Sequence, residues 1–134
     1  MIVVDASILA NALADDADDG RTARDRLARS GELAAPDLVD VETVSVLRRR
    51  WLSGDLTARR FSTAIDDLED LDLTRFPTLP LMRRSYELRT NVTSYDATYI
   101  ALAEHLACSL LTTDERLAKA PGIRCDVEVL TGSQ

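Results

Sequence analysis

Residues 94–114 read SYDATYIALAEHLACSLLTTD, and the apolar period changes partway along. Tyr95, Thr98, Tyr99, Leu102 and Leu106 recur at helical steps with alanines between them, which predicts a helix over Ser94–Leu106. The SLLTTD that follows is short, apolar and closed by polar residues, the pattern of a buried strand running out to a sheet edge. Asp96 falls in the first turn of the helix and Asp114 just past the strand. A helix laid back along a sheet brings these two carboxylates, distant in sequence, to one rim.

The N-terminus has the same grammar. Ile2–Val4 is fully apolar, Asp5 closes it, and Ala6–Ala14 resumes with helical spacing; a buried strand flowing straight into a helix is an α/β signature. An acidic loop over Asp15–Gly20 precedes a predicted helix at Thr22–Arg29 and a minimal strand at Leu33–Ala35. Pro36 and Asp37 introduce a long helix, Leu38–Leu52, with Leu38, Val41, Val44, Ser45 and the run Leu47–Trp51 tracing its apolar side. Gly54 ends that helix, Thr57 caps the next over Thr57–Leu68, and Leu71–Leu73 is expected as an edge strand. Pro77 and Pro80 break the chain before a helix at Leu81–Arg89; a short helix at Glu115–Ala120 and a last strand at Val127–Leu130 complete it. About five short strands alternating with six or seven helices predict an α/β fold of three layers, α/β/α, around a short, mostly parallel central sheet.

A chain of 134 residues with 46% hydrophobic content forms one domain, 1–134, with a sizeable core. No apolar run approaches the roughly 20 residues that cross a bilayer, and MIVVDAS lacks a basic leader, so a cytoplasmic protein without a membrane segment is expected. Cys108, placed in the central helix, and Cys125 have neither CxxC nor zinc spacing and read as reduced thiols. A net charge of -7 excludes a broad basic face for nucleic acid. It does not exclude a nucleic-acid enzyme, because a divalent ion offsets a carboxylate cluster and local arginines hold the backbone beside it. Of the 16 basic residues 15 are arginines, grouped at Arg48–Arg50, at Arg59 and Arg60, and at Arg83, Arg84 and Arg89.

Asp5 reads in two ways. As a helix cap it contributes ~1 kcal/mol and nothing else; as an acid beyond the C-terminal end of a parallel strand, it stands where α/β sheets bind ligands. Ser7 and Asn11 lie one helical step apart after it, spaced either to orient Asp5 or a bound water, or simply to face solvent. Glu42 borders the face drawn by Leu38, Val41 and Ser45, where a carboxylate needs a hydrogen bond, a metal or a place at the rim. Asp40 competes for that role, and a solvated Glu42 is the alternative. Asp96 after Thr93, and Asp114 after Thr113, each have the form of a first-turn acid. Jointly, Asp5, Asp96 and Asp114 crowd like charges at one edge, which raises some of their pKa values and costs stability unless a cation sits among them. Tyr95 and Tyr99 read as packing for the central helix, Trp51 as core or dimer contact, and His105 as a surface or packing residue.

The pieces VVDASILANAL at 3–13, APDLVDVETVSVLRR at 35–49 and SYDATYIALAEHLACSLLTTDERLA at 94–118 resemble the PIN-domain family, and within it the VapC toxins of type II toxin–antitoxin pairs. The likeness is most specific in YDATYIALAE and LLTTDERL, and over Thr57–Arg75 it rests on helical character and length alone. It places the family's metal-binding and catalytic acids on Asp5, Glu42, Asp96 and Asp114, and its supporting hydroxyl on Thr112. It implies cleavage of RNA with Mg²⁺, or Mn²⁺ as a substitute, leaving 5′-phosphate and 3′-hydroxyl ends. It implies too a cognate VapB-like antitoxin and a homodimer, for which Val44, Leu47 and Trp51 offer apolar cover. Where family members often end the central helix with glycine, this chain has Ala107. Two other functions stay open: a PIN-like housekeeping nuclease, and a catalytically silent α/β interaction module in which the acids only cap helices.

Overall fold

The computed structural model describes residues 1–131, so the last three residues of the expected domain lie outside it. In chain order the elements are β1 (Ile2–Val4), α1 (Ala6–Ala14), α2 (Asp18–Ala28), β2 (Leu33–Pro36), α3 (Val39–Leu52) and α4 (Ala58–Asp70). They continue with β3 (Thr74–Phe76), a 3₁₀ turn (Leu79–Leu81), α5 (Met82–Glu87), α6 (Ser94–Leu106), β4 (Ser109–Thr112), α7 (Glu115–Ala118) and β5 (Val127–Val129). The sheet runs β3-β2-β1-β4-β5, and every pairing among the described residues is parallel. Helices α1 to α4 pack together, while α6 lies over β1, β2 and β4 beside α5, giving the expected α/β/α layers. The chain builds the sheet in one direction to β3 and then returns to the other side of β1. Strands β1 and β4 therefore flank the point where strand order reverses, and their C-terminal ends form the crevice in which such sheets bind ligands.

Helix α6 is buried without a break from Ala97 to Ala103, and its alanines let it lie close to the sheet. Tyr95, expected to pack, is instead exposed, because it lies in the first turn of α6, ahead of the buried run that begins at Ala97. Ala107 ends α6 in the left-handed region at φ 53, and the amides of Ala107 and Cys108 close back on Glu104 O and Ala103 O. That paired closure terminates helices, so Cys108 lies outside α6 rather than within it.

Three further expectations are corrected. The acidic stretch before Thr22 is not all loop: α2 begins at Asp18, whose charge and that of Asp19 suit a helix N-terminus. Gly20 belongs in this helix because a Cβ there would stand 1.7 Å from Asp15 O, so α2 crosses the end of α1 backbone to backbone. The edge strand is Thr74–Phe76 instead of Leu71–Leu73, since α4 runs on to Asp70 and β2 pairs Ala34 with Thr74 and Pro36 with Phe76. In α3 the inward stripe is Val39, Thr43 and Leu47, whereas Val41 is 71% exposed. The buried Thr43, whose hydroxyl has no partner, disguised the true face.

The outer layers are tied by charge. Arg84 of α5 donates to Glu104 of α6 at 2.7 and 3.1 Å and to Gly122 O at 2.8 Å, while Arg124 N donates to the same glutamate at 2.7 Å. Burial pushes the Glu104 pKa up, but these donors outweigh it and hold the carboxyl below its ordinary value of 4.5. A depressed folded-state pKa adds stability that is fully present above the unfolded value and is lost as pH falls through the folded one. Glu104→Gln is therefore expected to lose about 2 kcal/mol at neutral pH, because the largely buried Arg84 charge keeps only the more exposed Glu87 as its ionic partner. Urea unfolding from pH 7 down to about pH 3 checks this: the gap between wild type and variant narrows on acidification. A gap that stays constant would show that the pair acts through packing alone.

Candidate active site at the C-terminal edge of the sheet

Asp5 leaves β1 in extended backbone and is both cap and rim acid. Its Oδ1 accepts from Ser7 N at 3.1 Å, Ser7 Oγ at 2.6 Å and Ile8 N at 3.2 Å, and its Oδ2 accepts from the hydroxyl of Thr112. Thr112 is fully buried at the end of β4, and its Oγ1 also accepts from Asp114 N at 3.1 Å. Ser7 Oγ accepts from Thr113 N at 3.3 Å. These two hydroxyls bind the ends of the central strands together. Burial pushes the Asp5 pKa up against the pull of its hydrogen bonds to Ser7, Thr112 and Ile8 N.

Glu42 stands in the first turn of α3, half-buried, and its Oε1 accepts from Tyr99 Oη of α6 at 2.7 Å. Burial raises its pKa, the Tyr99 bond opposes the rise, and the charges of Asp96 and Asp5 add to it. Asp40, the competing acid, is held by Arg75 of β3 at 2.9 to 3.2 Å and serves the fold. Glu42 thus faces the other acids, although the face assumed for α3 was wrong. Tyr99 is the residue that sequence reasoning assigned to packing and the structure places in the site. Its phenol is pushed strongly upward by burial and by Glu42, so it stays a neutral donor. The available signal was that a buried tyrosine needs a partner for its hydroxyl, one helical turn from Asp96.

Asp96 sits in the first turn of α6, where Thr93 Oγ1 accepts its amide at 3.2 Å. Burial and the neighbouring Asp114 charge push its pKa up, with a further contribution from Asp5. Asp114 differs: it caps α7, accepting Arg116 N at 2.9 Å, and it is bridged by the Arg116 guanidinium at 3.1 and 2.8 Å. That partner holds its carboxyl below the usual range. Asp96, Asp114, Arg89 and Arg116 line one groove of about 440 Å³. Asp5, Glu42, Asp96 and Asp114 are therefore one electrostatically connected set, each raising or being raised by another.

An all-oxygen donor set under mutual repulsion suits a hard divalent cation. Among the described residues no three acid, histidine or cysteine side chains close into a ready cage. An ion held there would take one or two carboxylates directly and keep several waters, the habit of Mg²⁺. Asn11 does not join it. Its Oδ1 accepts from Arg50 Nη2 at 2.6 Å, and both line a separate cleft of about 1010 Å³ that contains none of the four acids. Of the arginines weighed for phosphate contact, Arg84 is committed to Glu104, while Arg83 and Arg89 lie over the Tyr86 ring at 5.7 and 4.1 Å.

The family model described as PIN domain matches residues 2–123. Ribonuclease VapC1 of Mycobacterium tuberculosis is 40% identical over 129 residues, covering 96% of each chain. Ribonuclease VapC9 of the same organism is 40% identical over 130 residues, covering 97% of this chain and 98% of that one. By fold, the chain is similar to VapC20 of M. tuberculosis, a sarcin-ricin loop cleaving toxin, with a TM-score of 0.71 at 19% identity over 92% of this chain and 97% of that one. It is similar also to a chain of VapBC2 from Rickettsia felis, with a TM-score of 0.66 at 17% identity over 96% and 98% of the two. With the family match spanning nearly all of the described residues, and relatives at this identity aligned end to end, the chain belongs to the PIN-domain family, among its VapC members.

Proposed function

We propose that this chain is a divalent-metal-dependent endoribonuclease, the toxin of a toxin–antitoxin pair, that hydrolyses RNA phosphodiester bonds to 5′-phosphate and 3′-hydroxyl ends. The observation that carries this is the connected set of four acids at the strand-order reversal, in a chain 40% identical to proteins named ribonucleases. The silent-module alternative accounts for Asp5 and Asp114 as caps but gives no reason for Glu42 and Asp96 to be half-buried against like charge.

Asp5, Glu42, Asp96 and Asp114 would hold Mg²⁺ or Mn²⁺, which when bound supplies charge stabilisation and an acidified water. Ser7, Thr112 and Tyr99 fix the Asp5 and Glu42 oxygens, so those two carboxylates keep their orientation. Of the outer two, Asp96 is the better proton acceptor: burial and the Asp114 charge raise its pKa above the ordinary carboxylate value, whereas Arg116 holds that of Asp114 down. The open groove beside them admits a single strand, and Arg89 stands on its wall.

The cytoplasm is the proposed compartment, and no helix among the described residues is long and apolar enough to cross a membrane. A VapB-like antitoxin segment presenting Arg or Lys to the acids would exclude both ion and RNA. The expected homodimer needs a different surface from the one first drawn, since Leu47 is wholly buried in the core. On α3, the exposed large apolar residues are Val41 and Leu52 on one side, with Trp51 beside Leu52, and these offer the surface instead.

Three measurements test these statements. Asp96→Asn is expected to slow cleavage of total cellular RNA by roughly a hundredfold with either ion, while its metal-free melting temperature holds or rises because one repelling charge is gone. Full, chelator-sensitive cleavage by a folded variant would remove Asp96 from the reaction. Co-purified antitoxin should abolish Mn²⁺ binding together with cleavage, and a complex that retains both sinks that mode of inhibition. Sedimentation should show twice the 14.8 kDa chain mass at micromolar concentration and a shift toward monomer for Val41→Glu with Leu52→Glu. A wild-type monomer throughout that range rejects the dimer.

A further inference from the structure

Of the four rim acids, Asp114 alone is in an ion pair among the described residues. The Arg116 guanidinium spans both carboxylate oxygens, Nε to Oδ1 at 3.1 Å and Nη2 to Oδ2 at 2.8 Å. Asp5 and Glu42, by contrast, are satisfied by hydroxyls, backbone amides and a phenol. The cap of α7 does not require this fork, because the backbone N–H of Arg116 already donates to Asp114 Oδ1 at 2.9 Å. The Arg116 side chain is 88% exposed and is held by nothing else. An exposed pair of this kind is weak and readily exchanged.

We propose that Arg116 is a tethered counter-ion: in the metal-free protein its guanidinium occupies the Asp114 carboxylate, and a divalent ion must displace it to use that ligand. The proposal rests on the metal site argued above. A guanidinium fork engages both oxygens of the carboxylate and sets a positive charge against it, so it competes with a cation for the same ligand by charge and by space. The displaced side chain has somewhere to go, since Arg116 and Arg89 wall the same open groove as Asp96 and Asp114. Arg116 is thus a positioning residue, acting through Asp114. It keeps the acid compensated when no ion is present and raises the ion concentration at which the site fills.

The test is calorimetric titration of Mn²⁺ into the full chain without RNA. Arg116→Gln should bind roughly fivefold more tightly than wild type, with an unchanged far-ultraviolet circular dichroism spectrum. Arg89→Gln controls for the general field, because Arg89 lines the groove and touches no acid; its affinity should match wild type. In an Asp114→Asn background, adding Arg116→Gln should raise affinity by clearly less than that fivefold, since the competed ligand is gone and only the field of Arg116 at Asp96 remains. Equal or weaker binding by Arg116→Gln overturns the proposal, as does a gain in Arg89→Gln of the same size. A wild type that binds no Mn²⁺ overturns the metal site itself, which is a different failure from a wild type that binds while Arg116→Gln shows no gain.

Discussion

One hydroxyl organises the end of this sheet. Thr112 Oγ1 donates to Asp5 and accepts from Asp114 N, so it couples the residue that follows β1 to the turn that follows β4. Those strands are neighbours only because strand order reverses between them, and the reversal opens the crevice the acids surround. A valine at 112 would fill the same space and leave one oxygen of the Asp5 carboxylate and the Asp114 amide without the Thr112 hydroxyl, the costly side of hydrogen-bond arithmetic. The site is therefore not added to the fold at a loop. It grows from the pairing of β1 with β4.

Gathering four carboxylates works against stability, and the rest of the molecule compensates in two ways. The core is continuous from α1 through the sheet to α6, with Ile8, Leu9, Ile100, Leu102, Leu110 and Leu111 almost wholly buried. Bidentate arginine–carboxylate pairs then fasten the periphery: Arg26 with Glu128 at 2.6 and 2.9 Å, Arg75 with Asp40, and Arg84 with Glu104. The first two join elements far apart in sequence, and the third fastens the consecutive helices α5 and α6. A chain whose basic residues are almost all arginine thus devotes three of its forks to structure. That explains how so acidic a composition stays compact without a broad basic face.

The layers of the fold were legible because their signals were local. Ile2–Val4 and Ser109–Thr112 are apolar strands flowing from or into helices, and alternation of that kind implies a parallel sheet. The errors came where tertiary contact overrode local preference. Gly20 looks like a loop residue until α1 is seen against it, and Thr43 looks polar until it is found buried in α3. Proximity of the acids was legible from strand ends and helix starts, but their partners were not. Tyr99 meets Glu42 across 57 positions, Asn11 is taken by Arg50, and nothing in TTDER says whether Arg116 points toward Asp114 or toward water.

These partners divide the four acids in a way their spacing never suggests. Asp5 and Glu42 are held by neutral donors that neither compete for charge nor move without breaking buried bonds. Asp96 and Asp114 face the groove, one raised by burial and by the Asp114 charge, the other lowered by an exposed guanidinium. The inner pair can keep a fixed geometry while the outer pair changes partner or protonation, the separation that the proposed hydrolysis would need between groups that position and groups that exchange. The same division answers the problem of charge. On the reading proposed above, a phosphate backbone would approach along the groove, where Asp114 is already compensated by the Arg116 guanidinium and Asp96 would be compensated by the ion.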